Sequence, residues 1–197
     1  MNMHDVIKRV PLNGIRKLFC LLLCSFLAGC GISSSGTAPA AEYAAENEFM
    51  QAAINEARKG IHSEEGGPFG AVVVKDGVII GKGHNSVLAE NDSTAHGEIA
   101  AIRNAERKLG TYDLSGCVLY TTAEPCSMCL GAAIWANIDH IYYGCTLTDS
   151  SELGFRDEEL DAQIANRELQ NGYLEELDRE ACLQLFKEYT DLGITLY

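Results

Sequence analysis

Positive charge is scarce in this chain: 15 Lys and Arg face 28 Asp and Glu, a net of −13 over 197 residues. So acidic a surface repels a phosphate backbone, and no Lys/Arg cluster stands out to build a local basic groove. A nucleic-acid partner is therefore not expected. Membrane-length apolar runs are missing too. Leu18 to Leu27 (LFCLLLCSFL) is far short of the roughly 20 residues a spanning helix needs. There is no internal repeat, which excludes a solenoid. Of eight cysteines, five follow residue 30, an odd number and a poor disulfide framework. What remains is a globular composition, 47% hydrophobic and 8% aromatic, which argues against global disorder.

The first thirty residues do not read as part of the fold. Lys8, Arg9, Arg16 and Lys17 lead into the short apolar run, which ends in Leu27-Ala28-Gly29-Cys30. That order reads as a signal peptide, and its last four residues resemble the bacterial lipobox, in which the cysteine is lipidated after cleavage; the alternative is an N-terminal extension or an uncleaved anchor helix. The expectation is a signal peptide over 1–30 with lipidation at Cys30, a small polar tether over 31–45 and a domain over 46–197. The protein would then sit in the cell envelope, touching membrane only through its lipid, or in the cytoplasm if the leader is not processed. Export favours thiol oxidation, so a Cys-x-x-Cys pair would stay reduced there only if metal or burial protects it.

Along the domain, Phe49, Ala52, Ala53, Ile54 and Ala57 recur at helical spacing and predict a helix ending at Gly60. Val72-Val73-Val74 and Val78-Ile79-Ile80 flank Asp76-Gly77 and predict a hairpin. Asp92-Ser93-Thr94 offers N-cap chemistry for a helix through Leu109. A strand over Cys117 to Thr122 follows, then a helix opened by Glu124-Pro125 and running to about Asn137. A second strand over Ile138 to Gly144 and a last helix over Arg179 to Tyr189 complete the order. The fold class is α/β, a layered sheet with helices on both faces.

Chemistry concentrates in two strings, His96-Gly97-Glu98 and Pro125-Cys126-Ser127-Met128-Cys129. Cysteines three apart at a helix start share one face, and the helix dipole favours their thiolates. With one imidazole they make three ligands, leaving a fourth tetrahedral position of zinc for water. Glu98, two residues from a ligand, is placed to move that water's protons. Separately, each part has a plainer explanation: a capped histidine, a redox pair, a structural zinc site completed by Cys117 or Cys145. Together, His-x-Glu followed by Pro-Cys-x-x-Cys is the signature of zinc deaminases.

Further residues carry a narrower resemblance. Gly67-Pro68-Phe69-Gly70-Ala71, Gly83-His84-Asn85, Asn91 to His96, Glu124 to Leu130 and Gly154-Phe155-Arg156-Asp157 resemble the bacterial guanine deaminases and the related plant guanosine deaminases. The resemblance implies a cytidine-deaminase-like fold with a central mixed sheet and one Zn²⁺ per subunit. It implies a purine base as substrate, guanine being converted to xanthine and ammonia. Asn85 would hydrogen-bond the base, Phe69 would stack on it, and Asp157 would be a second acid serving the departing amine. Tyr197 would close the pocket, in such relatives often from a C-terminal segment swapped across a homodimer. Gly97, where these relatives usually carry Ala, and Ser93, in place of a usual Pro, depart from the pattern. Cytosine or tRNA adenosine deamination at the same zinc site remains open, as does a catalytically silent, lipid-tethered zinc-binding module.

Overall fold

The computed structural model describes residues 45, 47–166 and 173–194. The leader with Cys30, nearly all of the tether and the terminal Tyr197 lie outside the described residues. Helix α1 (Glu48–His62) opens on Asn47, whose side chain accepts from the Phe49 and Met50 amides. It runs past the expected stop at Gly60, because that glycine answers to packing rather than capping: a Cβ there would lie 2.8 Å from the His84 ring.

Strands β1 (Gly70–Lys75) and β2 (Val78–His84) form the expected antiparallel hairpin. Asp76 and Gly77 both take positive φ, 49° and 74°, so the turn twists with its strands. Strand β3 (Cys117–Ala123) pairs antiparallel with β1, and β4 (His140–Cys145) pairs parallel with β3. The strand order is β2-β1-β3-β4, a mixed sheet.

Helices cover both faces. On one, α1 lies so close to β1 that a Cβ at Gly70 would come within 2.3 Å of the Ala53 carbonyl and the Ala57 amide. On the other, α3 (Gly97–Leu109) packs against β2, where a Cβ at Gly81 would meet the Ala101 carbonyl at 2.2 Å. The buried cluster of Ala71, Val73, Leu119, Ala101, Ile102, Ala105, Ala133 and the fully buried Leu114 fills the α3 side. The parallel β3–β4 pair needs a crossover, supplied by α4 (Ser127–Trp135).

The remaining helices are peripheral. These are α2 (Val87–Glu90), α5 (Leu147–Glu152), α6 (Asp157–Asn166) and α7 (Arg179–Asp191). The last ends two residues beyond the expected Tyr189 and buries none of its residues. No helix among the described residues is long and apolar enough to cross a membrane.

Candidate metal centre and pocket

The helix expected to begin at Asp92 begins instead at Gly97. Asp92 spends its carboxylate inside its own turn, accepting from the Thr94 amide and hydroxyl at 2.7 and 2.8 Å. The N-cap of α3 is His96, with an extended backbone (φ −81°, ψ 154°) and no capping bond from its side chain. The same holds at α4, which starts at Ser127 with Cys126 as an N-cap whose thiol caps nothing (φ −63°, ψ 166°). Two helix starts thus converge with their N-cap side chains free for other work.

Those side chains meet. His96 Nδ1 lies 3.7 Å from Cys126 Sγ and 3.5 Å from Cys129 Sγ. All three donor atoms fall within 4.8 Å of one another. Tetrahedral zinc with Zn–N of about 2.05 Å and Zn–S of about 2.3 Å separates its N and S donors by about 3.6 Å, so this donor set fits the ion in number, kind and spacing. Neither Cys117 nor Cys145 joins the group among the described residues. Cys117 is buried at the start of β3 and Cys145 is exposed at the end of β4.

Protons are already sorted within the triad. The hydrogen bond from the Cys129 thiol, helped by His96, lowers Cys126 to about 4. Cys129 moves up, because its proton is shared with the Cys126 sulfur in a buried setting. His96 is raised chiefly by its bond to Cys126. Thiolate character at Cys126 is what a metal ligand requires, and a cation bound here would displace the protons that the triad shares.

Glu98 sits on the first turn of α3, 5% exposed. The fully buried Thr121 hydroxyl on β3 donates to its Oε1 at 3.1 Å, and Cys129 Sγ lies 3.5 Å from its Oε2. Burial pushes its carboxyl above the ordinary glutamate value. A carboxyl beside the metal ligands that readily holds a proton is what general acid–base work requires.

These groups open onto a cavity of about 380 Å³, lined among others by Phe69, Asn85, His96, Glu98, Phe155 and Asp157. Asn85 is buried, and its side-chain oxygen accepts from the Gly67 amide at 3.2 Å and the Val87 amide at 3.3 Å. With the oxygen pinned, the NH₂ is the group left to face a ligand. Gly66 must lack a side chain, since a Cβ would fall 2.1 Å from that oxygen. Phe69 is fixed by its carbonyl, which accepts from the Asn85 amide at 2.8 Å, and by Thr122, whose hydroxyl joins Pro68 O to Gly70 N. Its ring meets Phe155 edge-on at 4.8 Å. Asp157 is half-buried, and burial followed by the Cys126 charge raises its carboxyl.

Every candidate site residue within the described range therefore reaches one place: His96, Cys126, Cys129, Glu98, Asp157, Asn85 and Phe69. Two contributors went unassigned in the sequence. Thr121 could have been found from the alternation of β3, which buries Cys117, Leu119, Thr121 and Ala123. Phe155 forms a pocket wall together with Phe69, a pairing no local pattern announces. Gly97 has its own reason, as a Cβ would press to 3.0 Å of the Phe69 carbonyl oxygen.

Comparison with known proteins gives the same direction. Residues 44–145 match the family described as the cytidine and deoxycytidylate deaminase zinc-binding region. A guanine deaminase of Bacillus subtilis (strain 168) is 50% identical over 109 residues, which are 55% of this chain and 70% of that one. The solved structure of guanine deaminase from Bacillus subtilis superposes with a TM-score of 0.68 at 40% identity, covering 76% of this chain and 96% of the other. A tRNA-specific adenosine deaminase of Aquifex aeolicus is 44% identical over 95 residues, 48% of this chain and 62% of its own.

Proposed function

Because the chain belongs to the cytidine and deoxycytidylate deaminase zinc-binding family, we propose that it is a zinc-dependent hydrolase that deaminates guanine to xanthine and ammonia. The observation that carries this reading is the juxtaposition of a three-donor metal set, with no fourth protein ligand among the described residues, and a buried Glu98, its carboxyl raised by burial, on the wall of a cavity roomy enough for a purine base.

His96, Cys126 and Cys129 would hold the zinc. When bound, zinc supplies Lewis acidity that lets a water ionise near neutral pH. The reaction forms a ring C–O bond and breaks the exocyclic C–N bond. Of the two water protons, one ends on a ring nitrogen and the other on the departing amine. Glu98 collects and returns these protons, its carboxyl held in place by the Thr121 hydroxyl. Asn85 offers its NH₂ to an acceptor on the base, and Phe69, braced by Phe155, offers its face to the purine plane. Asp157, at the first turn of α6, serves the amine as it leaves. Tyr197 lies outside the described residues, and its part as a lid is proposed from resemblance alone.

The assembly we propose is a homodimer, whose C-terminal segment could complete the partner's pocket. What supports it is α4, without a charged or polar side chain from Met128 to its end except the ligand Cys129, yet with Ile134 at 66% and Trp135 at 73% exposure. The membrane attachment we propose is lipid on Cys30; intact mass of the native protein tests it, and an unprocessed, unlipidated Met1 start would overturn it. Activity is tested by ammonia release from guanine, guanosine, cytosine, adenine and tRNA. Preference for guanine is expected. Preference for tRNA, with salt-dependent retention of the protein on it, would replace this reading with adenosine deamination. No ammonia from any substrate with zinc in place would favour a silent zinc module.

A further inference from the structure

We infer that Asp161 is a positioning residue for this reaction: by gripping the first turn of α4 it holds Asp157, one helical turn earlier on α6, against the metal centre. This rests on the role given to Asp157 above.

The grip is double. Asp161 Oδ1 accepts from the Ser127 backbone amide at 3.0 Å and also from the Ser127 hydroxyl. Ser127 is the first residue of α4, so its amide is among those that a helix start leaves without an internal partner. An N-cap side chain serves the second and third amides of a helix rather than this first one, and the Cys126 thiol is in any case turned toward His96 and Cys129. The acceptor comes instead from another helix, and as a carboxylate it meets the positive end of the α4 dipole.

The consequence falls on Asp157. Residues four apart on a helix lie on one face, so the side that presents Asp161 to α4 also presents Asp157 to the cavity. Burial follows this geometry: Asp157 and Asp161 are half-buried, while Glu158, Glu159, Leu160 and Ala162 around them are exposed. Helix α6 packs otherwise against the short α5, and touches α4 only thinly. Without the Ser127 contact α6 can pivot on α5. A shift of about 1 Å in a proton-transfer group is enough to cost about 100-fold in rate.

The test uses full-length zinc-loaded protein and guanine. Asp161→Ala should lower kcat about 10- to 100-fold, the scale for residues that orient a reacting group, with KM within about threefold and zinc still near one per chain. Asp161→Asn, which keeps an acceptor for the Ser127 amide, should restore most of the rate. In an Asp157→Ala background, Asp161→Ala should cause no further loss. An equal further loss in that background, loss of zinc together with rate, or an unchanged kcat in Asp161→Ala would each overturn the proposal. Should Asp157→Ala itself turn over at the parent rate, the role of Asp157 falls and this inference falls with it. That result is distinct from an impaired Asp157→Ala whose defect simply adds to that of Asp161→Ala.

Discussion

Replacing Glu98 by Gln isolates the proton chemistry from the metal. Glutamine has the same shape, and its side-chain oxygen can still accept from the Thr121 hydroxyl, 3.1 Å away in the parent. Its NH₂ then faces Cys129 Sγ, where a donor suits a thiolate. Zinc should therefore stay near one per chain, read by elemental analysis. Turnover of guanine, read as ammonia release, should fall by about 10²- to 10⁴-fold, the range of lost general acid–base catalysis. That corresponds to about 2.7–5.4 kcal/mol of barrier. The substitution also leaves a stability signature. Burial raises the Glu98 carboxyl in the folded zinc-free chain, so the folded state binds that proton more tightly than the unfolded one. The stabilisation from this group is complete below the ordinary value of 4.5 and drains away as pH rises through the folded-state value. Glutamine has no such proton to lose. Zinc-free Glu98→Gln should melt above the zinc-free parent at pH 7, by a margin that closes as pH falls toward 4. A zinc-loaded variant with near-parental kcat would refute the catalytic role, and a melting difference independent of pH would refute the account of its burial.

Cys129→Ala removes a fully buried donor of the triad, and zinc per chain and ammonia release should fall together, against equilibrium dialysis and kinetics of the parent. Asn85→Ala unmakes the bonds from the Gly67 and Val87 amides. At about 0.5–1.5 kcal/mol each, denaturant unfolding should show a loss of about 1–3 kcal/mol, and KM for guanine should rise. Gly81→Ala places a methyl 2.2 Å from the Ala101 carbonyl. It should cost at least about 1–3 kcal/mol by overpacking, measured by thermal melting, because α3 must lift from β2.

The metal triad was legible because its signal is local and chemical: residue identity and spacing fix His96, Cys126 and Cys129 before any fold is known. The hairpin was legible for the same reason, through Asp76-Gly77. The start of α3 was not. Asp92 has cap chemistry but uses it on Thr94, and the true N-cap is a histidine, a residue that does not advertise a helix start. Helix α5 went unread although Thr146 and Asp149 form a reciprocal capping box, a signal present in the sequence but attached to only six residues. Thr121 reads as an ordinary strand residue until β3 is laid against α3. Asp161 is further from view, since its partner Ser127 lies 34 residues away on another helix.

Convergence of two helix starts on one ion explains why the chain forgoes its best local stabilisers at this place. Ser, Thr, Asp or Asn at an N-cap is worth about 0.5–2 kcal/mol, and α1 and α5 use such residues at Asn47 and Thr146. At α3 and α4 the N-cap side chains are His96 and Cys126; neither makes an ordinary capping hydrogen bond, although the Cys129 amide helps to favour the Cys126 thiolate. Both helices instead direct the positive ends of their dipoles at the same small volume, where they favour thiolates. The hydrogen bonds that this convergence brings to Cys126, from Cys129 first and then His96, lower it to about 4. The capping forgone is offset on metal binding, whose free energy becomes folding free energy because the unfolded chain offers no such site. The geometry that makes the zinc-free centre locally costly therefore also couples stability to zinc. It leaves Glu98, in the first turn of α3, held by the sheet through Thr121 rather than by the metal, free to change its protonation while the ligands stay fixed.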